Sequence, residues 1–314
     1  MTPVFLTVDT EFAWRHHAAG LDVEAIYARS VEPAGVGLSY HLDLFARHGL
    51  KATFFVDPMP ALVYGLKPVQ RMVETVLAAG QEVQLHLHAN WAGARVGDRG
   101  TGHARFNLDE YDAAEQADLL AGACDLLVAA GAPAPIAFRA GAYAANDETL
   151  AALVALGIEY DSSHNGAYPR GIALAAEAIA PVARGGLVEV PVTLIEDVPG
   201  SLRPFQICAL SSGESGQALA HAARAGHGAV TIVSHSFELA NRFGTAANAV
   251  HVRRFEALCT MLAACRATLP TTHFADRPAL RLGQDDRPLP ADRLRTRWRQ
   301  AQQLWSNLVS ERAA

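Results

Sequence analysis

Residues 82–91 read EVQLHLHANW. The run has the apolar content of a buried strand, yet it carries two histidines. Side chains alternate between the two faces of a strand. Val83, Leu85 and Leu87 therefore make one face aliphatic, while Gln84, His86 and His88 occupy the other. Imidazoles packed side by side on a covered face are costly unless they are paired or bind a cation.

The same two-faced pattern recurs elsewhere. In VFLTVDTEF, Val4, Leu6 and Val8 share one face, and Thr7, Asp9 and Glu11 share the other. In IAFRAGAY, Arg139 and Gly141 oppose Ile136 and Phe138; in AVTIVSHS, Thr231, Val233 and His235 oppose Val230 and Ile232. Four strands thus deliver charged or imidazole groups at their C-terminal ends. In a parallel barrel that end is the active-site face.

Between these strands the pattern is helical. GLSYHLDLFARHG, VQRMVETVLAAG, NDETLAALVALG, SGQALAHAARAG and RRFEALCTMLAACRA alternate with strand-like runs that also include KATFFVD, IEYDSS, LVEVPVT and TTHFA. In NLDEYDAAEQADLLAGACDLLVAAG, Asn107 stands three residues before Glu110, a capping-box spacing, and Leu119, Leu120, Ala123, Leu126, Leu127 and Ala130 keep helical intervals. About seven or eight βα units suit a closed or nearly closed barrel better than an open doubly wound sheet. The Gly-rich phosphate loop of a dinucleotide fold is absent after the first strand. The expected organisation is one catalytic barrel over residues 1–290 and a C-terminal amphipathic helix over 291–314. In that helix Leu294, Trp298, Ala301, Trp305 and Leu308 form an apolar stripe. It is expected to be covered by the outside of the barrel or, in a homo-oligomer, by a partner subunit.

Composition narrows the function. With 50% hydrophobic and 18% charged residues, the 314-residue chain can bury a large core, and its net charge of −6 gives no footprint for nucleic acid. No apolar run approaches a membrane span, and MTPVFLTVDTEF does not read as a secretory leader. Cys124, Cys208, Cys259 and Cys265 have no disulfide-framework spacing. Reduced thiols and a cytoplasmic location are the expectation.

Taken in order, TVDTEF, HLHANW, RAGAY and TIVSHSFEL resemble the motifs of the NodB-homology polysaccharide deacetylases, across residues 5–240. The likeness is greatest to the bacterial branch whose second motif reads QLHLH. The resemblance implies a distorted (β/α) barrel that hydrolyses an N-acetyl or related acyl group on a small or oligomeric saccharide. It implies Asp9 as general base, Glu11 and His86 as metal ligands, and Arg139 as the group orienting Asp9. The backbone N–H near Tyr143, in the motif that includes Gly141, would bind the oxyanion, and His235 would protonate the leaving amine. The implied cofactor is a divalent metal, zinc before others, since a carboxylate with imidazoles is a zinc-type donor set.

Two departures stand out. The family's metal histidines are four residues apart, and the residue four after His86 is Asn90. A strand continuing through His88 makes His88 the third ligand; a strand ending at His86 would bring Asn90 round instead. The family's tryptophan-bearing fourth motif has no counterpart here, which leaves Trp91, with Asn90, to line the substrate site. Arg95, Arg99 and Arg105 in the following loop either meet substrate or are simply solvated. Two other functions stay open: a saccharide-binding protein on a decayed deacetylase barrel, and a metal-dependent hydrolase of a non-sugar C–N bond.

Overall fold

The computed structural model describes residues 1–99 and 105–309, with side chains described as far as residue 307. The strands are β1 (Val4–Thr10), β2 (Thr53–Val56), β3 (Glu82–Leu87), β4 (Ala137–Ala140), β5 (Tyr160–Asp161), β6 (Val182–Arg184), β7 (Leu187–Glu189), β8 (Leu194–Val198), β9 (Ser201–Pro204) and β10 (Val230–His235). The helices are α1 (Trp14–Ala18), α2 (Val23–Ser30), α3 (Leu38–His48), α4 (Ala61–Tyr64), α5 (Lys67–Ala78), α6 (Ala113–Ala129), α7 (Asp147–Ala155), α8 (Ser212–Ala225), α9 (Ala249–Cys265) and α10 (Arg293–Val309).

Eight strands form one sheet in the order β10-β1-β2-β3-β4-β5-β7-β6, parallel throughout except for the β6–β7 pair. The segment after β7 then runs beside β10, with Thr193 N–H donating to Thr231 O at 3.1 Å and Val233 N–H to Phe205 O at 2.9 Å. The sheet thereby curls into the expected distorted barrel. The antiparallel β6 and the β8–β9 hairpin lie outside the sequence reading. TTHFA forms only a one-residue bridge, Val4 to Thr271, and no strand.

Alternation within the strands separates two cores. Val4, Leu6, Val8, Phe54, Leu85 and Phe138 face outward beneath the helices, while Phe5, Phe55, Tyr160 and Phe274 fill the inside. Phe5 stacks on Phe274 at 4.2 Å, so an aromatic plug fills the lower barrel. Each fully buried phenylalanine contributes roughly 1.5–3 kcal/mol of transfer free energy. Buried polar side chains also lie beside this plug, Thr53 Oγ1 and Gln84 Nε2 both donating to the Glu82 carboxylate.

Local signals set the helix ends. Gly49 closes α3 at φ 60°, a left-handed position that costs glycine nothing. The capping box of α6 is Asp112 with Glu115, one turn beyond the expected Asn107 and Glu110. Asn107 instead opens a short 3₁₀ turn and donates its side-chain N–H to Glu110 at 2.7 Å.

Helix α10 sets aside one of the two covers expected for its stripe, the outside of the barrel. Its polar face is the docked one: Thr296 Oγ1 donates to Asp197 O at 2.8 Å, Arg299 Nε to Glu214 at 3.1 Å, and Asn248 Nδ2 to Ser306 Oγ at 2.8 Å. Leu294, Trp298 and Trp305 point outward, 78%, 64% and 63% exposed. The barrel therefore does not cover the stripe; the Leu308 side chain and residues 310–314 lie outside the described residues. Buried ion pairs around Arg299, with Asp197 and Glu214, fix the face that an apolar-stripe argument assigned to Trp298 and Trp305. All four cysteines are free thiols. Among the described residues no helix is long and apolar enough to cross a membrane.

Candidate active site

The parallel register brings the polar strand ends to one level. Asp9 on β1 lies opposite His235 on β10, and His86 on β3 lies opposite Arg139 on β4. These side chains all point inward, above Phe55 and the aromatic plug.

Glu11, His86 and His88 form one cluster, with a ligand atom from each lying within 4.8 Å of the others. His86 Nε2 is 3.0 Å from Glu11 Oε2, and His88 Nε2 meets the same oxygen. His86 Nδ1 donates to the Arg139 carbonyl at 2.7 Å, which fixes the ring and leaves Nε2 as the donor toward the cluster. The backbone stays extended through His88 (φ −104°, ψ 110°) before a 3₁₀ turn at Ala89–Trp91. His86 and His88 therefore share a face. Burial opposes the charge on Glu11, yet His88 and His86 hold its carboxyl well below the usual range. Burial also opposes the charge on His88, but Glu11 overcomes it and raises the imidazole to about 9. Without a cation, a proton on His88 neutralises the carboxylate. Three converging donors of carboxylate and imidazole type fit a divalent transition metal.

Gly141 makes room for this cluster. A Cβ at that position would stand 2.5 Å from His88 Nδ1. Gly141→Ala is expected to push the ring out of line and weaken zinc binding about tenfold or more, read by competition with a chromophoric chelator. Unchanged affinity would mean that His88 is not held where Gly141 admits it. The adjoining Ala142 and Tyr143 adopt φ of 53° and 57°, left-handed conformations that are strained for residues other than glycine and that gather at functional sites. Tyr143 stacks on Tyr168 at 6.2 Å, and burial pushes its phenol well above the usual range.

Asp9 is braced from below. Arg139, fully enclosed, donates Nη1 to Asp9 Oδ1 and to Thr7 Oγ1 at 2.7 Å each, Nε to Ser162 O at 3.1 Å and Nη2 to Ser162 Oγ at 3.0 Å. Its guanidinium also lies 4.5 Å over the Phe55 ring. The other oxygen, Asp9 Oδ2, is 3.9 Å from His235 Nε2. His235 Nδ1 pairs with Glu238 Oε2 at 3.2 Å, and Glu238 also accepts from Cys208 N at 2.6 Å. Burial lowers His235, but the Glu238 bond and the Asp9 charge prevail and raise it to about 9. Glu238, which burial would raise, is drawn down to about 2 by His235. An imidazolium thus faces the mouth at neutral pH.

Two residues belong here that the strand-by-strand reading passed over. Glu238 sits three residues past His235 in a turn, where alternation gives no direction. Asp57 directly follows β2 and is fully buried; its Oδ1 accepts from Met59 N at 3.0 Å, while Oδ2 has no hydrogen-bond partner among the described residues. Burial raises its carboxyl to about 6 against the opposing pull of His88 and His86.

Other expectations fare differently. Trp91 is only 1% exposed, packed against Trp14 at 5.0 Å and His17 at 5.1 Å, so it presents no open face to a sugar. Asn90 is buried, and its Oδ1 has no hydrogen-bond partner among the described residues. Arg105 pairs with Glu115 and lies over Tyr111 at 3.9 Å. It packs onto α6 and its approach rather than standing free in solvent.

The fold is the curled α/β barrel of the NodB-type polysaccharide deacetylases, and Glu11, His86 and His88 form a candidate metal-donor cluster at the C-terminal mouth of its strands. No family model and no curated protein matches the sequence. Among solved structures, a presumed polysaccharide deacetylase from Mycobacterium smegmatis is similar at TM-score 0.54 and 18% identity, covering 90% of this chain and 94% of that one. A family 4 carbohydrate esterase from Streptomyces lividans, solved with acetate, has TM-score 0.47 and 15% identity over 93% and 98% of the two chains. A family 4 pseudoenzyme from Bacillus anthracis has TM-score 0.41 and 13% identity over 94% and 65%. At these identities the likeness is one of fold.

Proposed function

We propose that this chain is a divalent-metal-dependent hydrolase that removes an N-acetyl or related acyl group from a saccharide. The observation that carries the reading is the meeting, in one mouth, of the Glu11–His86–His88 cluster, the braced Asp9 and the imidazole of His235.

Glu11, His86 and His88 would hold the ion, zinc by the chemistry of the set. When bound, such an ion supplies electrophilic polarisation of the acyl carbonyl. Asp9 takes the proton of the attacking water through Oδ2, because Oδ1 is committed to Arg139. The strained turn at Tyr143 offers backbone N–H groups for the developing oxyanion. His235 gives a proton from Nε2 to the departing nitrogen, while Glu238 occupies Nδ1. The proton reaches the nitrogen only while His235 is charged, so an alkaline limb is expected, with activity falling as pH rises through about 9.

Acetate release from N-acetylated mono- and oligosaccharides tests the reading. Turnover is expected to vanish on chelation, to return with zinc and to show that alkaline limb. A zinc-loaded protein that releases no acetate but opens cyclic amides would place it among hydrolases of non-sugar C–N bonds. A zinc-loaded protein that binds oligosaccharide without turnover would make it a binding protein.

A further inference from the structure

The mouth holds a further carboxylate, Asp57, that the mechanism does not use. Strand β2 lies between β1 and β3, with Thr10 opposite Val56 and Val56 opposite Leu85. One residue further along, the same register sets Asp57 level with Glu11 on one side and His86 on the other. Its backbone continues that ladder, Asp57 N–H donating to Thr10 O at 3.0 Å. Thr53 and Phe55 precede it at the two-residue interval of one strand face, and Phe55 belongs to the inner aromatic plug. Asp57 therefore faces the barrel interior, between two of the residues read as ligands.

Its environment would be a poor one for an idle carboxylate. The side chain is fully buried, one oxygen is used by Met59 N, and the other is unpartnered among the described residues. A buried acceptor without a partner is costly, and such a group is retained where something else satisfies it. The hydrogen bonds of Arg139 go to Asp9, Thr7 and Ser162, and none of them reaches Asp57. The residues whose donor atoms share one small sphere are Glu11, His86 and His88, and Asp57 stands outside that set.

We infer that Asp57 is an outer carboxylate of the ion site: it does not ligate, but its free Oδ2 adds a negative charge and a hydrogen-bond acceptor beside the ion held by Glu11, His86 and His88. With Glu11 it gives the pocket two carboxylates against two neutral imidazoles, the charge that balances a divalent ion. This rests on the metal reading proposed above and names a residue that sets its affinity. Partners of this kind alter metal affinity by roughly 10–100-fold.

The test is binding of zinc and cobalt(II) by the full chain, without substrate. Asp57→Asn keeps the shape and the acceptor for Met59 N–H but removes the charge; Asp57→Ser keeps only a smaller acceptor and guards against misfolding of the first variant. Both are expected to bind zinc at least tenfold more weakly than wild type, with cobalt(II) absorption bands at unchanged wavelengths because the inner ligands are the same. Wild-type zinc affinity in both variants overturns the inference while leaving the hydrolase reading intact. Shifted cobalt bands overturn it too, by making Asp57 an inner ligand. Weakened zinc binding in a protein whose wild type releases no acetate supports the inference and removes the deacetylase reading alone. A wild-type chain that binds neither ion overturns both.

Discussion

Asp9→Asn is expected to fold, retain zinc and lose turnover by about three orders of magnitude, within the range seen when a positioned base is removed. The change is isosteric, and an amide oxygen can still accept from Arg139 Nη1, so the bracing at 2.7 Å has a substitute. What disappears is the basic Oδ2 beside His235. Because Asp9 is not in the donor cluster, metal content is the control that separates a lost base from a lost ion. The decisive measurement is kcat on an acetylated saccharide at matched zinc occupancy. Turnover within tenfold of wild type would remove Asp9 from the role.

Arg139→Met should damage the fold itself. The guanidinium is fully enclosed and joins Asp9, Thr7 and Ser162 across β1, β4 and the end of β5. Removing one partner of a buried ion pair leaves the other charge uncompensated, which typically costs about 3–5 kcal/mol. Urea unfolding is expected to shift to lower denaturant by that amount. Combining the change with Asp9→Asn should recover part of the loss, since the orphaned charge is then gone. Arg139→Lys should fall between, because an ammonium cannot reproduce the planar set of bonds. If the single and double variants unfold at the wild-type midpoint, the pair does not hold these strands together.

The barrel and most of its mouth are legible in the sequence for one reason: a strand's two-residue period converts spacing into direction. Asp9 with Glu11, His86 with His88, Arg139 and His235 follow from it, and the parallel register then brings them to one level. Asp57 was equally readable, through Thr53, Phe55 and Asp57, but the aromatic run TFFV reads as buried on both faces and hides the acid at its end. Glu238 and Trp91 were not readable this way, because both lie in turns beyond strand ends. The start of α6 shows a different limit. Asn107–Glu110 and Asp112–Glu115 have the same capping spacing, and the helix that follows Asp112 decides between them.

Helix α10 carries a colloidal consequence. Its attachment is ionic and polar, through Arg299, Thr296 and Ser306, while Leu294, Trp298 and Trp305 face water. Dissolved salt acts on the two faces in opposite senses. Simple electrolytes screen charge pairs, least where they are buried, whereas sulfate strengthens contacts between exposed apolar groups. Ammonium sulfate is therefore expected to promote association through the exposed strip of Leu294, Trp298 and Trp305.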